Sequence, residues 1–151
     1  MSLKTGLRAF LLLDAALVPL VACNIAGQPV VGVFSKVAPQ GTAGDYITYQ
    51  RIASRPFGHL GGGARSFSDL VQVNVYAFQR GDTATSPEAR CEAITEAVRR
   101  RLDGYRGPMG DTTVLACLMR DERDDHEDQQ DASEDVTCWT SQDFEILHIR
   151  G

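Results

Sequence analysis

The chain has 151 residues, 43% apolar and 23% charged, which is enough for one hydrophobic core and too short for two comfortable domains. Its net charge of -5 is uneven: residues 121–135 hold nine carboxylates and one arginine, a net of -8, while the remainder holds 14 basic and 11 acidic residues, a net of +3. This distribution argues against nucleic-acid affinity over the whole surface. We predict a single domain, 1–151, with an acidic loop at 121–135.

The N-terminal segment allows two interpretations. Lys4 and Arg8 precede an apolar run that ends in LVAC at 20–23, the outline of a lipoprotein signal. Asp14 interrupts that run and opposes membrane insertion by about 2.5–3.5 kcal/mol. We therefore favour a buried helix over the alternative, a secreted lipoprotein binding module anchored through Cys23. The apolar face of that helix is predicted to be Leu3, Leu7, Phe10 and Leu11.

A short second helical turn is predicted at 15–18, where Asp14 is suited to cap its start. Pro19 limits this turn, because proline inside a helix loses a backbone hydrogen bond. The valine-rich stretch 30–39 then predicts a first strand, followed by a glycine-containing turn.

The second predicted strand, 46–53, mixes apolar and polar residues on both of its faces. Such a strand either meets another subunit on one face or forms an ordinary tyrosine-rich sheet surface. The third strand is clearer, since Val71, Val73, Val75 and Ala77 alternate with polar and aromatic residues. We expect the valine face to meet the helices. Tyr76 and Phe78, on the opposite face, then form a partner surface unless a loop or the N-terminal helix covers them.

Between these strands lies a glycine-rich segment, 55–66, with three consecutive glycines. It lacks the GK[ST] ending of a nucleotide-triphosphate loop, and a strand rather than a helix follows it, so the dinucleotide fingerprint does not fit either. We interpret it as a hairpin tip that becomes ordered on assembly. Arg55, His59 and Arg65 in this segment are candidate contacts for an acidic partner or a phosphate backbone, and Phe57 is a further candidate assembly residue.

The strongest helix signal begins at Ser86, a preferred N-cap, with proline next and Gly104 as the stop. Its apolar stripe is predicted to be Cys91, Ile94, Val98 and Leu102. Arg99 and Arg100 near its end either form a solvated basic terminus or make salt bridges between subunits.

Two closing strands, 112–122 and 135–150, are predicted to pair as an antiparallel hairpin around the acidic loop. Asp124 and Asp125 in that loop are candidate contact residues. The loop lacks the glycine and terminal glutamate spacing of an EF-hand, so we expect no calcium site.

The cysteines and histidines carry no recognisable chemical motif. Four cysteines lack CxxC spacing, which argues against zinc and predicts free thiols, with a bridge between Cys117 and Cys138 as the alternative. With no nucleophile elbow and no HExxH pair, we predict that the chain is not an enzyme and uses no cofactor or metal.

These elements together predict an α+β fold. Its mostly antiparallel sheet of four to five strands would pack against two main helices, in the order α-β-β-β-α-β-β.

Several segments, in this order along the chain, resemble the tail completion or tail terminator proteins of long-tailed bacteriophages and gene transfer agents. The resemblance covers nearly the whole chain, and its segments are LLLDAALVPLVA, VAPQGTAGDYITYQRIASRP, GGGARSFSDLVQVNVYAF, SPEARCEAITEAVRRRLDGYRG, VLACLMRDERDDHED and DFEILH.

The resemblance implies a small α+β protomer that forms a ring, typically of six, on the head-proximal end of the tail tube. Such a ring stops tube polymerisation and docks the head connector at the neck of the virion. The implied partners are further copies of the chain, the tail tube protein and the head-closure protein. DNA would pass through the lumen without sequence-specific binding, and no membrane is involved. The candidate assembly residues are Arg55, Phe57, His59, Arg65, Tyr76, Phe78, Arg99, Arg100, Asp124 and Asp125.

Overall fold

The structure, a computed structural model, describes residues 2–56, 66–78, 86–127 and 137–150. These residues form two α-helices, α1 (Leu3–Leu12) and α2 (Pro87–Leu102), and a 3-10 helix, Val18–Val21. They also form nine strands: β1 (Ala22–Ile25), β2 (Gln28–Val31), β3 (Val33–Ser35), β4 (Thr42–Ala43), β5 (Tyr46–Pro56), β6 (Ser66–Phe78), β7 (Gly107–Met109), β8 (Thr112–Glu127) and β9 (Thr137–Arg150).

The main sheet has six strands in the order β3-β5-β6-β9-β8-β7. β3 runs parallel to β5, and every other pair in this sheet is antiparallel. The central pair, β6 and β9, stays in continuous register from Ser66 opposite Ile149 to Phe78 opposite Thr137. The two strands flanking this pair carry bulges, at Ile52 in β5 and near Leu115 and Arg120 in β8.

The α+β class with two helices is confirmed, but the predicted sheet and element order were wrong. Instead of four to five antiparallel strands, the main sheet has six mixed strands, and a second sheet has the order β2-β1-β4. The predicted strand 30–39 divides at Gly32, where an added Cβ would lie 2.7 Å from Tyr46 Cβ. The Gly32 amide donates to Val21 O and its carbonyl accepts from Ile47 N, so one residue joins both sheets. Valine content indicates extended backbone but not a change of sheet.

Helix α1 has the predicted apolar face, since Leu3, Leu7, Phe10 and Leu11 are all buried. Asp14 Oδ1 accepts from Ala16 N at 3.1 Å, which gives this residue its predicted capping role. Val18 N donates to Asp14 O at 3.1 Å, which closes a single turn at the predicted position 15–18. The 3-10 helix Val18–Val21 follows it, with Pro19 in its first turn. Proline is tolerated there because the first amides of a helix have no intrahelical partner.

Helix α2 begins as predicted, with Ser86 Oγ accepting from Ala89 N at 3.2 Å. Its predicted stripe is buried against β6, whose valine face is also buried as expected. Arg90 ties the first turn to the sheet, because its Nε donates to buried Asp45 Oδ2 at 2.8 Å while Asp45 Oδ1 accepts from Phe78 N at 3.1 Å.

Strands occupy part of both predicted loops. β8 continues to Glu127, so the first part of the acidic segment 121–135 is strand, held by the ladder to β9 despite its charge. Arg55 and Pro56 belong to β5, and Ser66 opens β6. Residues 57–65 and 128–135 lie outside the described residues.

Gly6 sets how closely α1 approaches β7, because an added Cβ would lie 2.4 Å from Met109 O and 2.9 Å from its carbonyl carbon. We expect Gly6→Ala to lower the free energy of unfolding by about 1–3 kcal/mol through overpacking. Helix propensity acts in the opposite direction, because alanine is favoured over glycine inside a helix by roughly 1 kcal/mol. Urea unfolding measures the difference. Ala9→Ser on the exposed face of α1 is the control and should change stability by less than about 0.5 kcal/mol; a neutral or stabilising Gly6→Ala would contradict the close approach.

Candidate assembly surfaces

A row of half-buried aromatic rings lies on the face of the main sheet opposite the helices. Tyr46 is central, with ring centroids 5.1 Å from Tyr76, 5.5 Å from Phe78 and 5.8 Å from Phe34. Tyr76 in turn lies 6.4 Å from Trp139, which faces it across the β6–β9 pair. Partly exposed aromatic clusters are enriched at protein interfaces because they bury a large area at low conformational cost. We call these five residues the aromatic row.

A chain of polar side chains crosses the same face next to the aromatic row. Gln50 donates to Gln72 at 3.1 Å, Gln72 donates to Asp143 at 3.4 Å, and Arg123 donates to Asp143 at 3.1 Å. These contacts link β5, β6, β9 and β8 in turn. The two faces of the sheet therefore differ sharply, one apolar and covered by helices, the other polar with an aromatic end.

The edges of the main sheet are only partly covered. β3 pairs with Ile47–Tyr49 of β5, and among the described residues no strand pairs with β5 on that side beyond Tyr49. At the other edge, β7 pairs with Thr112–Val114 of β8. Gly104 N then donates to Cys117 O and Asp103 accepts from Met119 N, which extends the covered part of β8 to Met119. Open strand edges present rows of backbone donors and acceptors that can pair with another chain.

A cleft of about 570 Å³ lies between α2 and the β8–β9 hairpin. Its lining includes the guanidinium of Arg99 and the carboxylates of Glu88, Glu92, Glu122 and Asp124. Arg99 donates to both oxygens of Glu122, at 2.7 and 2.9 Å, and this contact raises the pKa of the guanidinium. Within the part of the chain that the structure describes, no three His, Cys, Asp or Glu side chains are grouped to hold a metal.

All four cysteines are buried, and none of them forms a disulfide. Cys117 lies opposite Ile146 and Cys138 opposite His126, so the two are not cross-strand neighbours. Burial, with a smaller effect of the Asp103 charge, raises the pKa of Cys117 to about 12. Burial also raises the pKa of Cys91. Both thiols are therefore protonated at neutral pH and lack the thiolate that nucleophilic chemistry needs.

A buried polar cluster lies at the other end of the sheet, where Asp69 and His148 are both almost fully enclosed. Asp69 Oδ2 is 3.1 Å from His148 Nε2, and Asp69 Oδ1 accepts from Ser54 Oγ at 2.5 Å. Burial acts to raise the pKa of Asp69, but the hydrogen bonds from His148 and Ser54, together with the charges of His148 and Arg51, outweigh it and leave the pKa lowered. Ser54 is bonded to the carboxylate rather than to the imidazole, so the three groups do not form a nucleophilic triad.

The predicted contact residues within the described ranges occupy four different places. Tyr76 and Phe78 belong to the aromatic row, Arg55 is exposed on the open part of β5, and Asp124 lies on the open part of β8. Arg99 and Arg100 are paired within the chain, both to Glu96. Phe57, His59 and Arg65, and the side chain of Asp125, lie outside the described residues.

The sequence reasoning missed three members of the aromatic row, Phe34, Tyr46 and Trp139. The signal that unites them is the register between strands, in which Tyr46 faces Tyr76 and Tyr76 faces Trp139. Alternation within one strand assigns faces, but it does not align one strand with the next.

Comparison with known proteins gives a fold likeness. No protein-family model and no curated protein sequence matches the chain. A chain of the solved virion of a native gene transfer agent particle matches with a TM-score of 0.64 and 19% identity, over 98% of this chain and 92% of its own. A second solved chain matches at a TM-score of 0.46 and 17% identity over 97% and 96%, which is too low to support a shared fold. No helix within the described ranges is both long and apolar enough to span a bilayer.

We expect Asp69→Asn to lower the free energy of unfolding at pH 7 by about 1.5–3 kcal/mol, because hydrogen bonds to a charged group are lost. Since the pKa of Asp69 is lowered in the folded chain, its stabilisation is present above the unfolded value of about 3.9 and is lost as pH falls through the folded value. The difference between wild type and Asp69→Asn in urea unfolding should therefore shrink below about pH 4.

The matched control is Asp14→Asn, which keeps an oxygen able to accept from Ala16 N on an exposed turn. It should leave stability within about 0.5 kcal/mol at every pH. A difference for Asp69→Asn that stays constant down to acid pH would contradict an ionised, stabilising Asp69.

Proposed function

We propose that this chain is a structural virion protein, a tail terminator. In this role it forms a ring of six copies on the head-proximal end of a tail tube, stops the tube from growing and joins it to the head connector. DNA passes through the ring without sequence-specific contacts. No catalysis is part of this role.

The observation that carries the proposal is the fold likeness to a chain of a gene transfer agent virion, which extends over nearly the full length of both chains. It agrees with the order of segments that resembles tail terminators. The likeness itself supports a shared fold, and the ring and its position at the neck are the parts that we infer.

The surfaces of the protomer support an assembly role. Association would cover the aromatic row and the open parts of β5 and β8. Exposed aromatic patches favour binding to another protein, and unpaired strand edges can pair with another chain. Closed rings arise when each subunit offers two different complementary surfaces.

Removing the gene from its virus or gene transfer agent tests the role directly. We expect tail tubes of uncontrolled length and heads without tails, seen by negative-stain electron microscopy. Adding the purified chain to the lysate should cap the tubes and restore joining. Particles with normal tails in the absence of the chain would overturn the proposal, and heat-denatured chain serves as the inactive addition.

The chain has one tryptophan, Trp139, and it lies in the aromatic row, so its fluorescence reports on that surface. We expect its emission to move to shorter wavelength when the chain binds tubes of the cognate tail tube protein, because water is excluded from the row. Phe78→Ser should weaken this binding at least tenfold, which is about 1.4 kcal/mol.

Leu13→Ser is the control for this measurement, since Leu13 is 78% exposed at the end of α1, away from the aromatic row. Its binding should match wild type. An emission maximum that does not move although the tubes are capped would place the tube contact on another surface.

A further inference from the structure

The open part of β5 is short and has defined ends. It starts at Gln50, because β3 and the Lys36 amide cover the strand up to Tyr49. It stops at Pro56, which has no amide hydrogen to continue a ladder. Arg51 and Arg55 are the charged residues of this segment, and both are exposed. A chain that pairs here meets a basic edge about five residues long.

The open part of β8 starts after Met119, whose amide is bonded to Asp103, and continues through the strand. Asp121, Glu122 and Asp124 are exposed on it, with Arg123 between them. Among the described residues, no strand pairs with this part of β8 on the side away from β9. This edge is acidic, and it lies at the opposite corner of the sheet from the open part of β5.

The opposite charges on the two edges also lie on matching faces of the sheet. Arg51 is aligned with Val71, on the side of the sheet that carries the helices, and Asp124 is aligned with Thr140 on that same side. Arg55 is aligned with Ser68 and Asp121 with Asp143, both on the opposite side. The bulge at Ile52 is what puts the two arginines on different faces although they are four positions apart.

We propose that β5 of one subunit pairs with β8 of the next copy, so that the main sheets of neighbouring subunits join; this inference rests on the ring of the proposed function. β5 and β8 are antiparallel within one chain, so a neighbour in the same orientation presents β8 antiparallel to β5. One register then places Arg51 opposite Asp124 and Arg55 opposite Asp121. Ala53, a small residue, comes opposite Arg123.

The contacts that these side chains make within one chain leave them able to form the proposed pairs between subunits. Arg51 is 3.9 Å from Asp69, the outer limit of an ion pair. Asp121 contacts Arg123 and accepts from the amide of Glu122 at 2.9 Å, both in its own strand, and Asp124 accepts from Thr140 Oγ1 at 2.8 Å through one of its two oxygens. Ion pairs at a solvent-exposed edge contribute modest affinity, so their main effect is to select this edge and this register.

Disulfide cross-linking tests the register in the full-length chain. Ala53→Cys and Arg123→Cys in one chain should give, under mild oxidation, a ladder of covalent oligomers that ends at the size of the ring. The control pair is Ala53→Cys with Leu115→Cys, since Leu115 is 41% exposed but lies at the far end of β8. Each single variant is also needed, although the four native cysteines are buried. The chain is tested alone and on tubes of the cognate tail tube protein.

Charge exchange tests the pairing without a covalent bond. Arg55→Glu should reduce the ring fraction in light scattering at least tenfold, and adding Asp121→Arg in the same chain should restore it. Both positions are exposed, so thermal unfolding of the monomer should be unchanged.

The outcomes separate the two proposals. A closed ladder for the 53–123 pair and rescue by charge exchange support the strand pairing. Rings that form with no ladder, or with equal ladders for the 53–115 control, overturn the strand pairing and leave the terminator role standing. A chain that stays monomeric both alone and on tubes overturns both.

Discussion

The continuous ladder between β6 and β9 is the constraint on which the rest of the structure depends. Because no bulge interrupts it, every side chain along both strands has a fixed face. The face toward the helices is mostly apolar, and the opposite face is mostly polar or aromatic. The helices then pack on a surface whose pattern is already set. The irregularities that a functional surface needs fall in the flanking strands, where β5 and β8 carry the bulges.

The parts of the fold that the sequence predicts well are those with a local cause. Helix α2 is predicted by its N-cap Ser86, the proline after it and its apolar stripe, and the valine face of β6 is predicted by the alternation of residues along the strand. What escaped prediction depends on contacts distant in sequence. Gly32 divides one valine-rich run between two sheets because of Tyr46, and the acidic residues 121–124 are strand because β9 pairs with them. Of the candidate surfaces, alternation alone found Tyr76 and Phe78, whereas their neighbours Tyr46 and Trp139 needed the register between strands.

Two buried carboxylates tie strands to neighbouring elements at opposite ends of the main sheet. Asp69 holds His148 and Ser54 at one end of the sheet, and Asp45 holds Arg90 and Phe78 at the other. Each carboxylate therefore connects a strand to at least one other element of the fold.

The diagonal placement of β3 and β7 has a geometric consequence for any closed assembly of these sheets. A neighbour that avoids both strands must be displaced along the strand direction. Within one chain Asp124 is level with Ile47, whereas the proposed pairing places it opposite Arg51, so the displacement is four residues. That is about 13 Å over a width of about 19 Å for four strands, from the usual rise and spacing. A ring returns to its starting height, so the strands must slope against its axis by about 35°, the inclination common in closed β-barrels. If the sheets face the lumen, its wall would consist of strands inclined to the ring axis, and the boundaries between subunits would be inclined in the same way.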